Sequence, residues 1–224
     1  MEQEYDGRLP FVIDLPFFEV ESRGLYRTYL KRVFDVALVL VAAIPVLSIV
    51  LLFAALVAMD GKNPFYTQVR IGKGGRKYRI WKLRSMVANA DDMLGVYLAS
   101  NPDAAKEWQT TQKLKNDPRI TRVGRFIRKS SIDELPQLWN VLNGTMSLVG
   151  PRPIMEDQEQ LYRGKGYYGV RPGITGPWQV SARHNSGFAE RVWYDDNYNR
   201  SLSFRSDVAL ILKTFKVVFQ CTGV

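Results

Sequence analysis

From Val36 to Met59 the chain runs for 24 residues without a charged side chain, and this run constrains everything around it. As one straight helix it would extend about 36 Å, enough to cross a hydrocarbon layer of about 30 Å. It starts too late and runs too long for a secretory signal peptide, and no small-residue cleavage site follows it. Two features favour a path that enters and leaves through one face. Arg23, Arg27, Lys31 and Arg32 precede the run, and Lys62, Arg70, Lys73, Arg76, Lys77 and Arg79 follow it. Basic residues beside membrane segments prefer the cytoplasmic side, so both flanks ask for that side. Pro45 then removes one backbone hydrogen bond and crowds the preceding turn. It divides the run into Val36–Ile44 and Val46–Met59, each suited to one leaflet. The expectation is a kinked, re-entrant membrane helix, with Lys31 and Arg32 placed to meet lipid phosphates.

The rest of the 224-residue chain is long enough for one sizeable domain. Its formal charge of +9 predicts an acidic partner: nucleic acid, an anionic membrane surface or a phosphorylated substrate. Cys221 and His184 are the only cysteine and histidine. An intrachain disulfide and a His/Cys zinc cluster are thereby excluded, as is a Cys-His nucleophile pair unless those two residues meet. Acid, base and nucleophile roles fall to carboxylates.

Three regions follow. Residues 1–25 form an irregular arm, 26–62 the basic lead-in and membrane helix, and 63–224 the catalytic domain. The fold class expected is α+β: a mainly helical domain with one small β-hairpin. Pro64–Ile71 and Tyr78–Leu83 have strand character, and the Gly72–Lys77 segment joins them. That glycine cluster fits neither GxxxxGK[ST] nor GxGxxG spacing, so it reads as a basic hairpin tip rather than a phosphate loop. Met86–Leu98, Asp103–Leu114 and Asp207–Gln220 look helical. Ser131 and Glu134 fit a capping box opening a helix whose apolar face is Leu135, Leu138, Trp139 and Leu142.

Asp133 and Glu134 are adjacent at that helix start. Acidic residues are common there because they complement the helix dipole. Their surroundings argue for more. Arg119, Arg122, Arg125, Arg128 and Lys129 stand upstream; downstream, Pro151 and Pro153 clamp the backbone around Arg152. Arginine suits bidentate recognition of phosphate, and Arg171–Pro177 is a second turn-rich loop, followed by Arg183. Carboxylates beside arginines beside a membrane suggest phosphate chemistry on a lipid. Two rivals remain: a membrane-tethered module that binds nucleic acid, which has no use for the carboxylates, and a lipid-pyrophosphate phosphatase, which needs no nucleotide sugar.

Several blocks in order resemble the bacterial sugar transferases, also called monotopic phosphoglycosyl transferases. They are Lys31–Asp35, Tyr78–Met86, Asp117–Thr121, Ser131–Leu138, Met146–Pro153 and Arg171–Gly176. The chain is most similar to the short type that initiates exopolysaccharide synthesis. The resemblance implies monotopic attachment to the cytoplasmic face of a bacterial inner membrane and a requirement for Mg²⁺. It implies that Asp133 attacks the β-phosphorus of a UDP-sugar, releasing UMP and holding the phosphosugar until undecaprenyl phosphate takes it. Glu134 matches the expected Mg²⁺ ligand; Lys82, Arg128, Arg152 and Arg183 match basic substrate-binding positions. The sugar is left open, with galactose or glucose expected, and so is assembly, a homodimer among the options. Where relatives often carry serine before the kinking proline, this chain has Ile44.

Overall fold

The computed structural model describes residues 24–111, 114–181 and 188–219. The arm before residue 24, together with Arg183, His184 and Cys221, lies outside the described residues. Helical winding begins with a π-helical turn, Tyr26–Leu30, and continues as α1, Lys31–Ala58. Pro45 sits inside α1 without ending it, so the two arms expected from the sequence are one continuous run of helix. Proline supplies no N–H to the carbonyl four residues back. One turn later Ser48 Oγ donates to the Ile44 carbonyl at 3.0 Å, so a hydroxyl does stand beside the proline, from the following turn.

Both ends of α1 are fastened to the same body. At the N-terminal end Lys31 Nζ pairs with Asp207 at 2.6 Å, and Ser147 Oγ donates to Asp35 at 2.7 Å. Arg32 donates to the carbonyls of Val141 and, at 2.7 Å, Leu142. At the other end Arg84 Nη2 donates to the Val57 carbonyl at 3.2 Å and to Asp60 at 2.7 Å. These contacts correct the expectation for Lys31 and Arg32: one is buried on a carboxylate and the other ties down carbonyls left over at a helix end. The middle of α1 stands clear, with Val41 and Ile44 81% and 82% exposed.

The hairpin pairs β1 (Phe65–Ile71) with β2 (Lys77–Leu83), antiparallel and in register from Phe65↔Leu83 to Ile71↔Lys77. At its tip Gly74 and Gly75 take φ of +67° and +75°. The glycines there serve the turn, because only glycine adopts that region without steric cost. Alternation puts Tyr78, Ile80 and Lys82 on the inner face of β2. Asn140 satisfies the strand's backbone: its Oδ1 accepts from Trp81 N at 3.1 Å and its Nδ2 donates to the Arg79 carbonyl at 2.7 Å.

Helices α2 (Ala90–Ser100) and α3 (Pro102–Thr111) form a pair, with Pro102 at the first helical position. The first begins later than expected because Met86 is drawn into an isolated bridge with Ile120. Next comes α4 (Arg122–Lys129), capped by Thr121 Oγ1, which accepts from Gly124 N at 2.8 Å. A Cβ on Gly124 would meet the Ser85 carbonyl at 1.8 Å, so glycine lets α4 lie directly on the end of the hairpin.

The helix expected over residues 131–142 is instead a 3₁₀ segment, Ile132–Gln137, followed by the short α5, Leu138–Leu142. The capping box does not form. Ser131 adopts φ +58° and its side chain caps nothing, while Glu134 turns to Lys82. Pro136 accounts for the tighter winding, since it removes a donor and disfavours α-geometry at Leu135. Leu135, Leu138 and Leu142 do face the core, but Trp139 is exposed.

The two proline-containing loops are laced together by a parallel pair that hydrophobic patterning did not reveal. Strand β3 (Ser147–Val149) lies beside β4 (Gly173–Thr175). Gly150 N donates to the Thr175 carbonyl and Gly173 N to the Pro151 carbonyl, each at 2.8 Å. A Cβ on Gly173 would lie 2.1 Å from Gly150 N, so these loops need glycine to approach so closely. Short helices α6 (Glu156–Glu159), α7 (Gly166–Gly169) and α8 (Pro177–Ser181) follow, and α9 (Phe188–Ser201) and α10 (Phe204–Phe219) complete the fold, α10 packing against both strands of the pair.

Candidate active site

Asp133 and Glu134 open the 3₁₀ segment, where successive residues point about 120° apart. They therefore do different things. Glu134 Oε1 accepts from Lys82 Nζ at 2.8 Å, both side chains being about one-fifth exposed. Asp133 turns inward and is 8% exposed. Among the described residues no side chain donates a hydrogen bond to it. Burial pushes its pKa up to about 6, the negative charge of Glu134 adds to this, and Lys82 and Arg128 oppose it. Burial is thus the largest influence on this carboxylate, and three charged neighbours modify it. At pH 7 such a group is still roughly nine-tenths ionised.

Arg128 is held for this purpose by a residue that the sequence reading passed over. Its Nε donates to Ser85 Oγ at 2.7 Å. Burial lowers its pKa, and the charges of Asp133 and Asp117 raise it again. The other cations of the upstream cluster are elsewhere. Arg119 is locked onto Asp117 by bonds of 2.9 and 2.7 Å and lies over Trp108, 5.4 Å from the ring. Arg122, Arg125 and Lys129 point to solvent. Arg152 belongs to a different group, near Arg70 and Arg191. The structure thus brings together Asp133, Glu134, Lys82 and Arg128, with Arg152 apart from them and Arg183 outside the described residues. Ser85 could have been found only through its place at the end of the Tyr78–Met86 block.

The site is joined to the apolar helix. Ile132 and Leu135, on either side of the two acids, pack with Val50, Ala54 and Val57 of α1, and Leu83 and Ile127 complete that cluster. Phe53 of α1 stacks on Phe126 with ring centroids 5.6 Å apart. The acidic pair therefore lies at the foot of an apolar surface, between two cations.

Comparison with known proteins gives the family. The family model described as bacterial sugar transferase matches residues 26–221. The chain belongs to that family. Among its relatives, the UDP-galactose-lipid carrier transferase of Erwinia amylovora is 45% identical over 201 residues, 87% of this chain but 41% of the relative. The exopolysaccharide production protein ExoY of Rhizobium meliloti is 43% identical over 214 residues, covering 93% of this chain and 95% of the relative. The undecaprenyl-phosphate galactose phosphotransferase of Salmonella typhimurium is 46% identical over 200 residues, 41% of its length. The chain thus spans about two-fifths of two of these relatives and nearly all of the third.

Among the described residues no three carboxylate, histidine or cysteine side chains are grouped to form a cation cage. That donor set still fits Mg²⁺ as it is commonly held, by one or two carboxylates together with waters and substrate phosphates. Glu134, with Asp133 beside it, would hold the ion, which would supply neutralisation of phosphate charge.

Proposed function

We propose that this sugar transferase moves a hexose-1-phosphate, galactose or glucose being the hexose in the relatives' names, from a UDP-sugar to undecaprenyl phosphate. The observation that carries the reading is Asp133: a buried carboxylate, unbonded by other side chains among the described residues, facing two cations where the acids meet α1. A nucleophile must keep its lone pairs available, and Asp133 does. Its carboxylate oxygen attacks the β-phosphorus, a P–O bond forms, and the bond to the bridging oxygen breaks. UMP leaves with that electron pair, and the phosphosugar remains as an aspartyl acyl phosphate. An oxygen of undecaprenyl phosphate then attacks the same phosphorus and returns Asp133 as a carboxylate. Lys82 and Arg128 offset charge on the transferring group. Using one pocket twice lets a water-borne and a lipid-borne substrate react without being bound together.

The membrane reading follows from α1. A helix crossing the bilayer must put its ends on opposite sides of the hydrocarbon, whereas both ends of α1 are tied to one domain while apolar side chains from Val33 to Met59 are exposed along it. This supports a re-entrant helix and a monotopic enzyme on the cytoplasmic face of the inner membrane.

A UMP-release assay over a panel of UDP-sugars tests the reading. With donor and Mg²⁺ but no lipid acceptor, the expected result is a burst of UMP no larger than the enzyme concentration. UMP that appears only when undecaprenyl phosphate is present would replace the covalent step with direct transfer. For topology, labels on the Tyr26 and Lys62 regions in intact cells are expected to be shielded alike, and outside access to either would indicate a crossing.

A further inference from the structure

The face of the hairpin that carries Lys82 continues across to β1. Lys82 and Tyr66 are direct cross-strand partners, and side chains directly opposite one another share a face with Cβ atoms about 5 Å apart. Lys82 is held on Glu134 at 2.8 Å. The next side chain outward from the acidic pair on the β1 side is therefore an aromatic ring. Tyr66 is 46% exposed, and among the described residues nothing hydrogen-bonds its hydroxyl. Alternation puts the hairpin's other aromatic pair on the opposite face: Phe65 and Trp81 meet edge to face, 6.4 Å between centroids, and Phe65 packs toward α1. Tyr66 thus takes no part in the apolar surface that meets the membrane helix.

A carboxylate stands near this ring. The segment leaving β2 carries Ser85, the residue that holds Arg128, then bridges Met86 to Ile120 and opens α2 with Asp91 in the first turn. Asp91 is exposed. Its charge reaches Tyr66, whose pKa is raised by burial and then by Asp91, with Arg70 opposing. An acid at a helix start has an ordinary use, complementing the helix dipole. This one also lies between two site groups: along the chain it follows the partner of Arg128, and in space it neighbours the partner of Lys82. In the reaction proposed above, the hexose is joined through one oxygen to the phosphorus that Asp133 attacks, so it must rest next to Lys82. A hexose presents a face of C–H groups and an edge of hydroxyls. An exposed aromatic ring covers the first, and an ionised carboxylate accepts hydrogen bonds from the second. Ligand sites combine aromatic walls with a few placed polar groups in this way.

We infer that Tyr66 and Asp91 form the hexose subsite, the ring stacking on the sugar and the carboxylate reading its hydroxyls. This rests on the transferase reading and adds to it what selects the sugar. The test uses the full chain with undecaprenyl phosphate and Mg²⁺. It measures kcat/KM for UDP-galactose and UDP-glucose, and the inhibition constant of UDP, which carries the nucleotide without a sugar. Tyr66→Leu is expected to lower kcat/KM for both UDP-hexoses by about tenfold while UDP inhibition stays within about twofold of the parent. Tyr66→Phe keeps the ring and is expected to stay within about threefold. Asp91→Asn is expected to shift the ratio of the two kcat/KM values by about fivefold or more, because the two sugars differ in the orientation of one hydroxyl. A purely structural or membrane-anchoring role for Tyr66 would weaken UDP inhibition as much as hexose transfer. That result, or a loss in Tyr66→Phe as deep as in Tyr66→Leu, would overturn the stacking. An unchanged galactose-to-glucose ratio in Asp91→Asn would overturn the carboxylate's part, and this exposed position decides the matter where Tyr66→Leu fails to fold. None of these results touches the transferase reading, which fails on its own if the unmodified chain releases UMP from no UDP-sugar.

Discussion

Asp207 and Asp133 are both buried aspartates with a lysine close by, and they are opposite in design. Asp207 is saturated. Its Oδ2 accepts from Lys31 at 2.6 Å and Tyr26 at 2.7 Å, and its Oδ1 accepts from the Tyr198 hydroxyl at 2.7 Å. Two donors from the start of the apolar helix and one from α9 meet on one carboxylate, which fastens that helix to α9 and α10. Asp133 has charged neighbours but, among the described residues, no side-chain donor, and its lysine is bonded to Glu134 instead. The lesson is in the acceptor inventory. A buried acid whose lone pairs are all used holds a fold together; one kept ionised at a distance by cations is available to react.

Exchanging each acid for its amide separates these roles most sharply. Asp133→Asn is expected to lower UMP release by at least about a thousandfold, because an amide does not attack phosphorus. The same variant gains stability. The native state raises this group from 3.8 to about 6, so the folded protein binds the proton more tightly than the unfolded chain between those values. Ionisation above pH 6 therefore penalises folding, and the amide removes that penalty, of order 3 kcal/mol. A thermal melt at pH 7.5 beside the activity assay checks both, and a destabilised Asp133→Asn would contradict the burial argument. Asp207→Asn behaves in the reverse way. It leaves Lys31 buried without its counter-charge, at an expected cost of about 3–5 kcal/mol, read as a lower melting temperature and greater protease sensitivity.

The same contrast explains what the sequence could reveal. The apolar run, the hairpin and the carboxylate–arginine grouping are local patterns, and each was legible in consecutive residues. Lys31, Arg32 and Asp35 were not, because whether a basic residue meets lipid or a distant acid depends on Asp207, Val141 and Ser147, more than a hundred residues away. The β3–β4 pair escaped because three-residue strands leave no periodic signal, and its parallel register is fixed by glycines that permit close approach. The capping box failed for a local reason that was visible: Pro136 three residues after Asp133 was already at odds with a regular helix opening there. Arg128 could be placed by its motif, but its partner Ser85 could not, since a serine at the end of a strand carries no chemical signature of its own.

A smaller effect, and one that sharpens the comparison, is the response to acid. If ionised Asp133 is the nucleophile, kcat/KM falls as the pH drops through about 6, approaching tenfold per pH unit below it. The sign follows from burial, which raises the group and so moves the loss of activity up from the ordinary carboxylate range. Lys82 opposes that shift, so Lys82→Met should carry the acidic limb to higher pH as well as reducing the rate. A profile that stays flat down to pH 5 would remove Asp133 from the rate-determining chemistry.

The smallest effect concerns Ser85. Its hydroxyl accepts from Arg128 Nε at 2.7 Å and is buried at the end of the hairpin. Ser85→Ala deletes only that acceptor and leaves the guanidinium charge in place. A hydrogen bond to a charged donor is worth about 1.5–3 kcal/mol where it is lost outright, but here Arg128 can turn toward the phosphate that it serves, and a few-fold fall in kcat is expected. The discriminating readout is the partition between constants. Arg128 acts on the transferring group, so a misdirected guanidinium should depress kcat more than it raises KM for the UDP-sugar, with the melting temperature within a few degrees of the parent. Arg128→Lys should not be rescued by the intact serine, because an ammonium group cannot present the same planar fork to Ser85 and the phosphate at once. Equal loss in kcat and stability would make Ser85 a packing residue, and the orientation of Arg128 would then have to come from Asp117 and Asp133 alone.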